Sequence, residues 1–132
     1  ALSNSVEKQV WILEPRRIAA ISSAVRISEE NDWKLGQEVG YQVRFENKTS
    51  AQTKILFLTE ALLLRKLKSD PDLEKVCLVI LDEFHERSVH MDLALATLKE
   101  LQQLSRPDLK IVVMSATLDA KPLASYLHDA PI

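Results

Sequence analysis

The chain has 132 residues, the size of one ordinary domain, and 46% hydrophobic with 27% charged residues is the balance of a chain that folds around a core. A formal net charge of −2 excludes a protein that gathers nucleic acid by bulk electrostatics, so any such contact has to be local. The only two glycines, Gly36 and Gly40, exclude a phosphate-cradling loop of the G-x-G-x-x-G or G-x-x-x-x-G-K-[ST] type within these residues, and the lone Cys77 excludes a disulfide framework or a cysteine zinc cluster.

In chain order, Val10-Trp11-Ile12-Leu13 is a short continuous apolar run that predicts a buried strand. Arg16 to Asp32 follows with Ile18, Ile21 and Val25 at three- and four-residue steps, the spacing of a helix. Leu35 to Ser50 breaks the rhythm: Val39, Tyr41, Val43 and Phe45 alternate with polar or small neighbours, which predicts a half-exposed strand or hairpin. Ile55-Leu56-Phe57-Leu58 is the next buried strand, and Glu60 to Lys68, with Leu63 and Leu67, the next helix. Val76 to Leu81 is a third apolar strand, Met91 to Leu104 a helix carrying Leu95, Leu98 and Leu101, and Ile111 to Met114 a fourth strand. A last helix is predicted from about Asp119, a plausible N-cap, with Pro122 in its first turn where a missing N–H costs little. Cys77 lies in an apolar run, no stretch reaches the roughly 18 apolar residues of a membrane span, and the first residues show no signal-peptide pattern. The expectation is a cytoplasmic protein without membrane contact.

Strand-helix-strand order implies an α/β fold with a mostly parallel sheet and helices on both faces. Each apolar run ends in polar residues: Glu14-Pro15-Arg16-Arg17, Thr59-Glu60, Asp82-Glu83-Phe84-His85-Glu86-Arg87 and Ser115-Ala116-Thr117. Parallel strands bring their carboxyl ends to one edge, where ligands bind, so the four clusters should share a rim. Asp82 at a rigid strand end suits a hydrated magnesium ion, and Glu83 could then orient or deprotonate a water in line with a γ-phosphate. On residues alone, an acidic helix N-terminus favoured by the macrodipole explains the same pair equally well.

Leu81-Asp82-Glu83-Phe84-His85-Glu86-Arg87-Ser88 resembles the Walker B motif of DEAH-box helicases, in the form typical of the bacterial HrpB-type branch. Met114 to Leu118 resembles the S-A-T motif, Leu13 to Ala20 is similar to motif Ia, Leu58 to Arg65 to motif Ib, and Val39 to Asn47 to the hairpin between those two. The resemblance spans the chain in the family's order. It implies a partial RecA-like domain of the P-loop NTPase type over 1–132, the incomplete first motor domain of an ATP-dependent helicase acting on single-stranded RNA, with DNA the alternative. It assigns Asp82 to the magnesium shell through water, Glu83 to the hydrolytic base, and His85 to a hydrogen bond toward Ser115 or Thr117 that couples nucleotide state to domain movement. Arg16, Arg17 and Thr59 would contact the nucleic-acid backbone and Arg44 would touch RNA near the hairpin tip.

Two departures stand out: Phe84 where most DEAH members have alanine, and Ala61 where motif Ib usually has glycine. The Walker A segment and the second RecA-like domain, a partner in the parent protein, do not occur in these residues. Mg2+ and ATP are therefore expected in the parent, with neither held tightly nor hydrolysed by this chain alone. Open strand edges left by a missing central strand predict self-association. A non-catalytic RecA-like module that binds nucleic acid or protein is the alternative. A zinc hydrolase built on His85, Glu86 and His90 fits poorly, because the two histidines are five rather than four residues apart.

Overall fold

The computed structural model describes residues 8–86, 88–116, 120–127 and 131. Strands β1 (Gln9–Glu14), β2 (Val39–Val43), β3 (Glu46–Lys48), β4 (Ile55–Thr59), β5 (Val76–Leu81) and β6 (Lys110–Val113) form one sheet in the order β3-β2-β4-β1-β5-β6. Every pairing is parallel except β2 with β3, which is an antiparallel hairpin. Helices α1 (Arg17–Glu30), α2 (Glu60–Ser69), α3 (Val89–Leu104) and α4 (Ala120–Tyr126) supply the crossovers and the flanking layers. The N-cap expected at Asp119 lies outside the described residues.

Alternate residues of β1 and β4 feed two cores, one on each face of the sheet. Trp11, Leu13, Leu56, Leu58, Val79 and Leu81 face Leu63 of α2 and Leu95 and Leu98 of α3. Fully burying each such leucine is worth about 1.5–3 kcal/mol, so this layer holds the sheet flat against the helices. On the opposite face Ile12, Tyr41 and Phe57 meet α1. Here the sequence reading needs correction: the buried stripe of α1 is Ala20, Ala24 and Ser28, whereas Ile18 is 79% exposed. The sheet contributes the bulky side chains on this face, so the helix must contribute small ones to pack closely.

Two further expectations change. β2 is buried rather than half-exposed, because β4 and β3 pair with its two edges and α1 covers it. β6 is not covered on both faces; Ile111 and Val113 reach the core while Lys110 and Val112 are exposed, and among the described residues β6 is an edge of an unbroken sheet rather than the lip of a central gap.

Gly40 sits where the chain leaving β3 crosses β2. A Cβ there would stand 2.3 Å from the Lys48 carbonyl oxygen, a backbone atom that cannot swing aside. Gly40→Ala is expected to pry the hairpin from the sheet and cost on the order of 1–3 kcal/mol, read as a lower urea midpoint at unchanged slope.

Candidate nucleotide and nucleic-acid site

The rim is built by a hydrogen-bond ladder that continues past the strands. Asp82 donates its N–H to the Leu13 carbonyl (3.0 Å), and Met114 donates to the Leu81 carbonyl (2.8 Å). Glu83 then takes a φ of 56°, the left-handed region that costs a non-glycine residue about 1 kcal/mol or more. Its N–H donates to Asp82 Oδ1 (2.9 Å), and the chain turns into a 3-10 helix at Phe84–Glu86 closed by the Glu86 N–H on the Glu83 carbonyl (2.9 Å). Phe84 drops into the larger core, 3% exposed, while its N–H donates to the Met114 carbonyl (3.0 Å). The ring at this position anchors the turn.

His85 bridges two strand ends. Its Nδ1 accepts from the Ala116 N–H (3.2 Å), and its Nε2 lies 3.1 Å from Glu83 Oε2. One proton on Nε2 satisfies both contacts, so a neutral imidazole suffices. The resemblance directed His85 toward Ser115 or Thr117; its bond runs to the backbone amide of Ala116 between them, and Thr117 lies outside the described residues. Asp82, Glu83, His85 and Ser115 line one open groove of about 460 Å³.

The other expected residues lie farther along the sheet, outside the lining of this groove. Thr59 ends β4 opposite Glu14 of β1, and its hydroxyl makes no capping bond to α2. Arg16 opens α1 and grips Glu86 with two prongs, Nε to Oε2 at 3.1 Å and Nη2 to Oε1. Arg17 reaches the hairpin instead, with Nη2 3.1 Å from Glu46 Oε2, while the Tyr41 hydroxyl donates to Glu46 Oε1 (2.7 Å). These two donors hold the Glu46 carboxyl below its ordinary range, the tyrosine first. Arg44 stacks on Phe45 at the hairpin turn, 4.8 Å from guanidinium carbon to ring centroid.

Glu14, Phe45 and Glu46, without an assigned role in the sequence reading, belong here, as does Glu86, which entered it only in the poorly fitting zinc reading. Glu14 is 3% exposed and hydrogen-bonds Asp82; burial first, then that bond and the charges of Asp82, Glu83 and Glu86, push its carboxyl up to about 8. The available signal was position, since Glu14 directly ends an apolar strand. Ligating atoms of Glu83, His85 and Glu86 lie within 4.8 Å of one another, and His90 is not among them. With Asp82 adjoining, the donors are mainly carboxylate oxygens, the chemistry that suits a hard, hydrated Mg2+ better than zinc.

A mostly parallel sheet that gathers an Asp-Glu pair, a bridging histidine and a serine loop on one rim defines a RecA-like motor domain. The DEAD/DEAH box helicase model matches residues 2–125, and the chain belongs to that family. It is 47% identical over 123 residues to the probable ATP-dependent RNA helicase DHR2 of Saccharomyces cerevisiae, covering 93% of this chain and 17% of that protein. Two crystal structures from Escherichia coli superpose on it: the DExH-box NTPase HrpB, with a TM-score of 0.89 and 45% identity over 98% of this chain and 16% of that one, and the DEAH/RHA helicase HrpB, with 0.88 and 46% over 98% and 17%. The chain thus spans about a sixth of the length of these relatives.

The Glu14 carboxyl yields a pH prediction. The folded chain keeps a proton that the unfolded chain releases near 4.5, so this stabilisation is whole below about 4.5 and is lost as pH rises through about 8. Thermal melts across that window should show Tm falling with pH, and Glu14→Gln, neutral throughout, should flatten the decline.

Proposed function

We propose that the chain is part of the first motor domain of an ATP-dependent helicase that couples Mg-ATP hydrolysis to movement along single-stranded RNA. The observation that carries this reading is the His85 bridge, which ties the Asp82-Glu83 turn to the loop after the neighbouring strand. Asp82 would hold the magnesium shell through water, with Glu83 and Glu86 lining the same cleft. When bound, the ion neutralises phosphate charge. Glu83, turned toward the groove and hydrogen-bonded to His85, would take the proton of the attacking water. A change in the Ser115 loop alters the Ala116 contact and so the hold on His85, which is a physical route from nucleotide state to the moving parts.

On the nucleic-acid side, Arg16, Arg17 and Thr59 lie along the ends of β1 and β4, and Arg44 with Phe45 crowns the hairpin. Phe45 is 90% exposed and has φ 68°, a conformation that is a genuine outlier for a bulky residue. An aromatic ring held in solvent at a strained turn is suited to stacking on a base. No phosphate-cradling loop occurs in these residues, so the isolated chain is expected to lack turnover, and the free edge of β6 to promote its self-association. Among the described residues no helix is long and apolar enough to cross a membrane, and the lone Cys77 fits the reducing cytoplasm.

In the full-length helicase, Glu83→Gln should lower ATP turnover by about 10²-fold or more while nucleotide binding, read by calorimetry, persists. Retained turnover would remove Glu83 from the base role. Phe45→Ala should weaken single-strand binding about tenfold for every sequence tried, as loss of one stacking platform does. Equal affinity in the variant would place the strand elsewhere.

A further inference from the structure

We propose that Glu86 competes with the nucleic-acid backbone for Arg16, so that an arriving phosphate takes the guanidinium and releases the turn that positions Glu83 and His85. This rests on Arg16 being a backbone contact. Carboxylate and phosphate present the same pair of oxygens to an arginine fork, and Glu86 already occupies both prongs. The Arg16 side chain is 70% exposed, against 28% for Glu86, so a phosphate can reach it without unfolding anything. The pair faces an open cleft of about 300 Å³ bounded by Glu14, Ser22, Ser23 and Glu83.

What makes the exchange consequential is where Glu86 stands. It closes the 3-10 turn on the Glu83 carbonyl, and its carboxylate lies within 4.8 Å of the ligating atoms of Glu83 and His85. Arg16 is fixed to the start of α1, so the pair pins that turn to a second element. Arg17 differs, because its partner Glu46 lies in the hairpin, away from the hydrolytic turn. An exposed pair is weak enough to exchange. Glu86 is thus a positioning residue that reports occupancy of Arg16 to the groove.

The test uses the full-length helicase, with anisotropy of a labelled oligouridylate in the absence of nucleotide and ATP turnover across a range of that strand. Glu86→Gln, nearly isosteric, should tighten the strand about two- to fivefold by removing the competitor, and shrink the ratio of stimulated to basal turnover. Glu86→Asp should fall between the two. In an Arg16→Ala background, Glu86→Gln should leave affinity unchanged. Unchanged or weaker binding by Glu86→Gln, or the same tightening without Arg16, overturns the competition. If Arg16→Ala alone leaves affinity intact, the backbone-contact reading of Arg16 fails first, and this inference with it.

Discussion

Everything at the rim depends on the peptide ladder that joins β1, β5 and β6. Because Asp82 is bonded to the Leu13 carbonyl and Met114 to the Leu81 carbonyl, the first residue beyond each strand is held as firmly as the strand itself. Asp82 therefore starts from a fixed backbone, and Glu83 can be forced into the left-handed region without the turn unwinding. Strain of this kind survives only where the surroundings over-determine it. Phe84 supplies the second constraint: with its ring buried and its amide on Met114, the start of the turn is pinned twice.

Four carboxylates, Glu14, Asp82, Glu83 and Glu86, crowd this edge, and the fold disposes of their charge in different ways. Glu14 is buried and keeps its proton, Glu86 is matched by Arg16, and Glu83 accepts a hydrogen bond from His85 Nε2–H. Asp82 accepts its neighbour's amide and shares the Glu14 proton. Such a site is costly in repulsion when a cation is absent and is relieved when one arrives. Where these carboxylates crowd together, the edge is readier for a cation than for an anion.

The sheet was legible because its strands are continuous apolar runs, and all four of those named from sequence are strands here. The rim was legible for the same reason, since polar residues after parallel strands have only one edge to occupy. What failed was the assignment of faces. Ile18 looked like core by spacing, yet small Ala20 and Ala24 pack against Tyr41 and Phe57, a match of sizes that periodicity does not record. Glu14 had no role in the sequence reading, and Glu86 entered it only in the zinc reading, because what sets them apart is burial and partners far along the chain. Arg106 illustrates the same limit outside the site: it donates to the carbonyls of Asp72, Leu73 and Val76, joining the turn before β5 to the one before β6. Nothing in its neighbouring residues announces that.

The two arginines that open α1 show how one local motif serves two distant elements. Consecutive residues at a helix start point in different directions, so Arg16 reaches the 3-10 turn after β5 and Arg17 reaches Glu46 across the sheet. Each is tied to a carboxylate, and the two carboxylates belong to different elements, one to the turn after β5 and one to the hairpin bearing Phe45. Glu46 is also held by Tyr41, a buried residue of β2, so that tie has a second anchor which the Glu86 tie lacks among the described residues. A strand laid along the start of α1 would loosen the Glu86 contact more readily than the Glu46 contact. The asymmetry makes the turn after β5 the more responsive of the two, and leaves the hairpin the more firmly held.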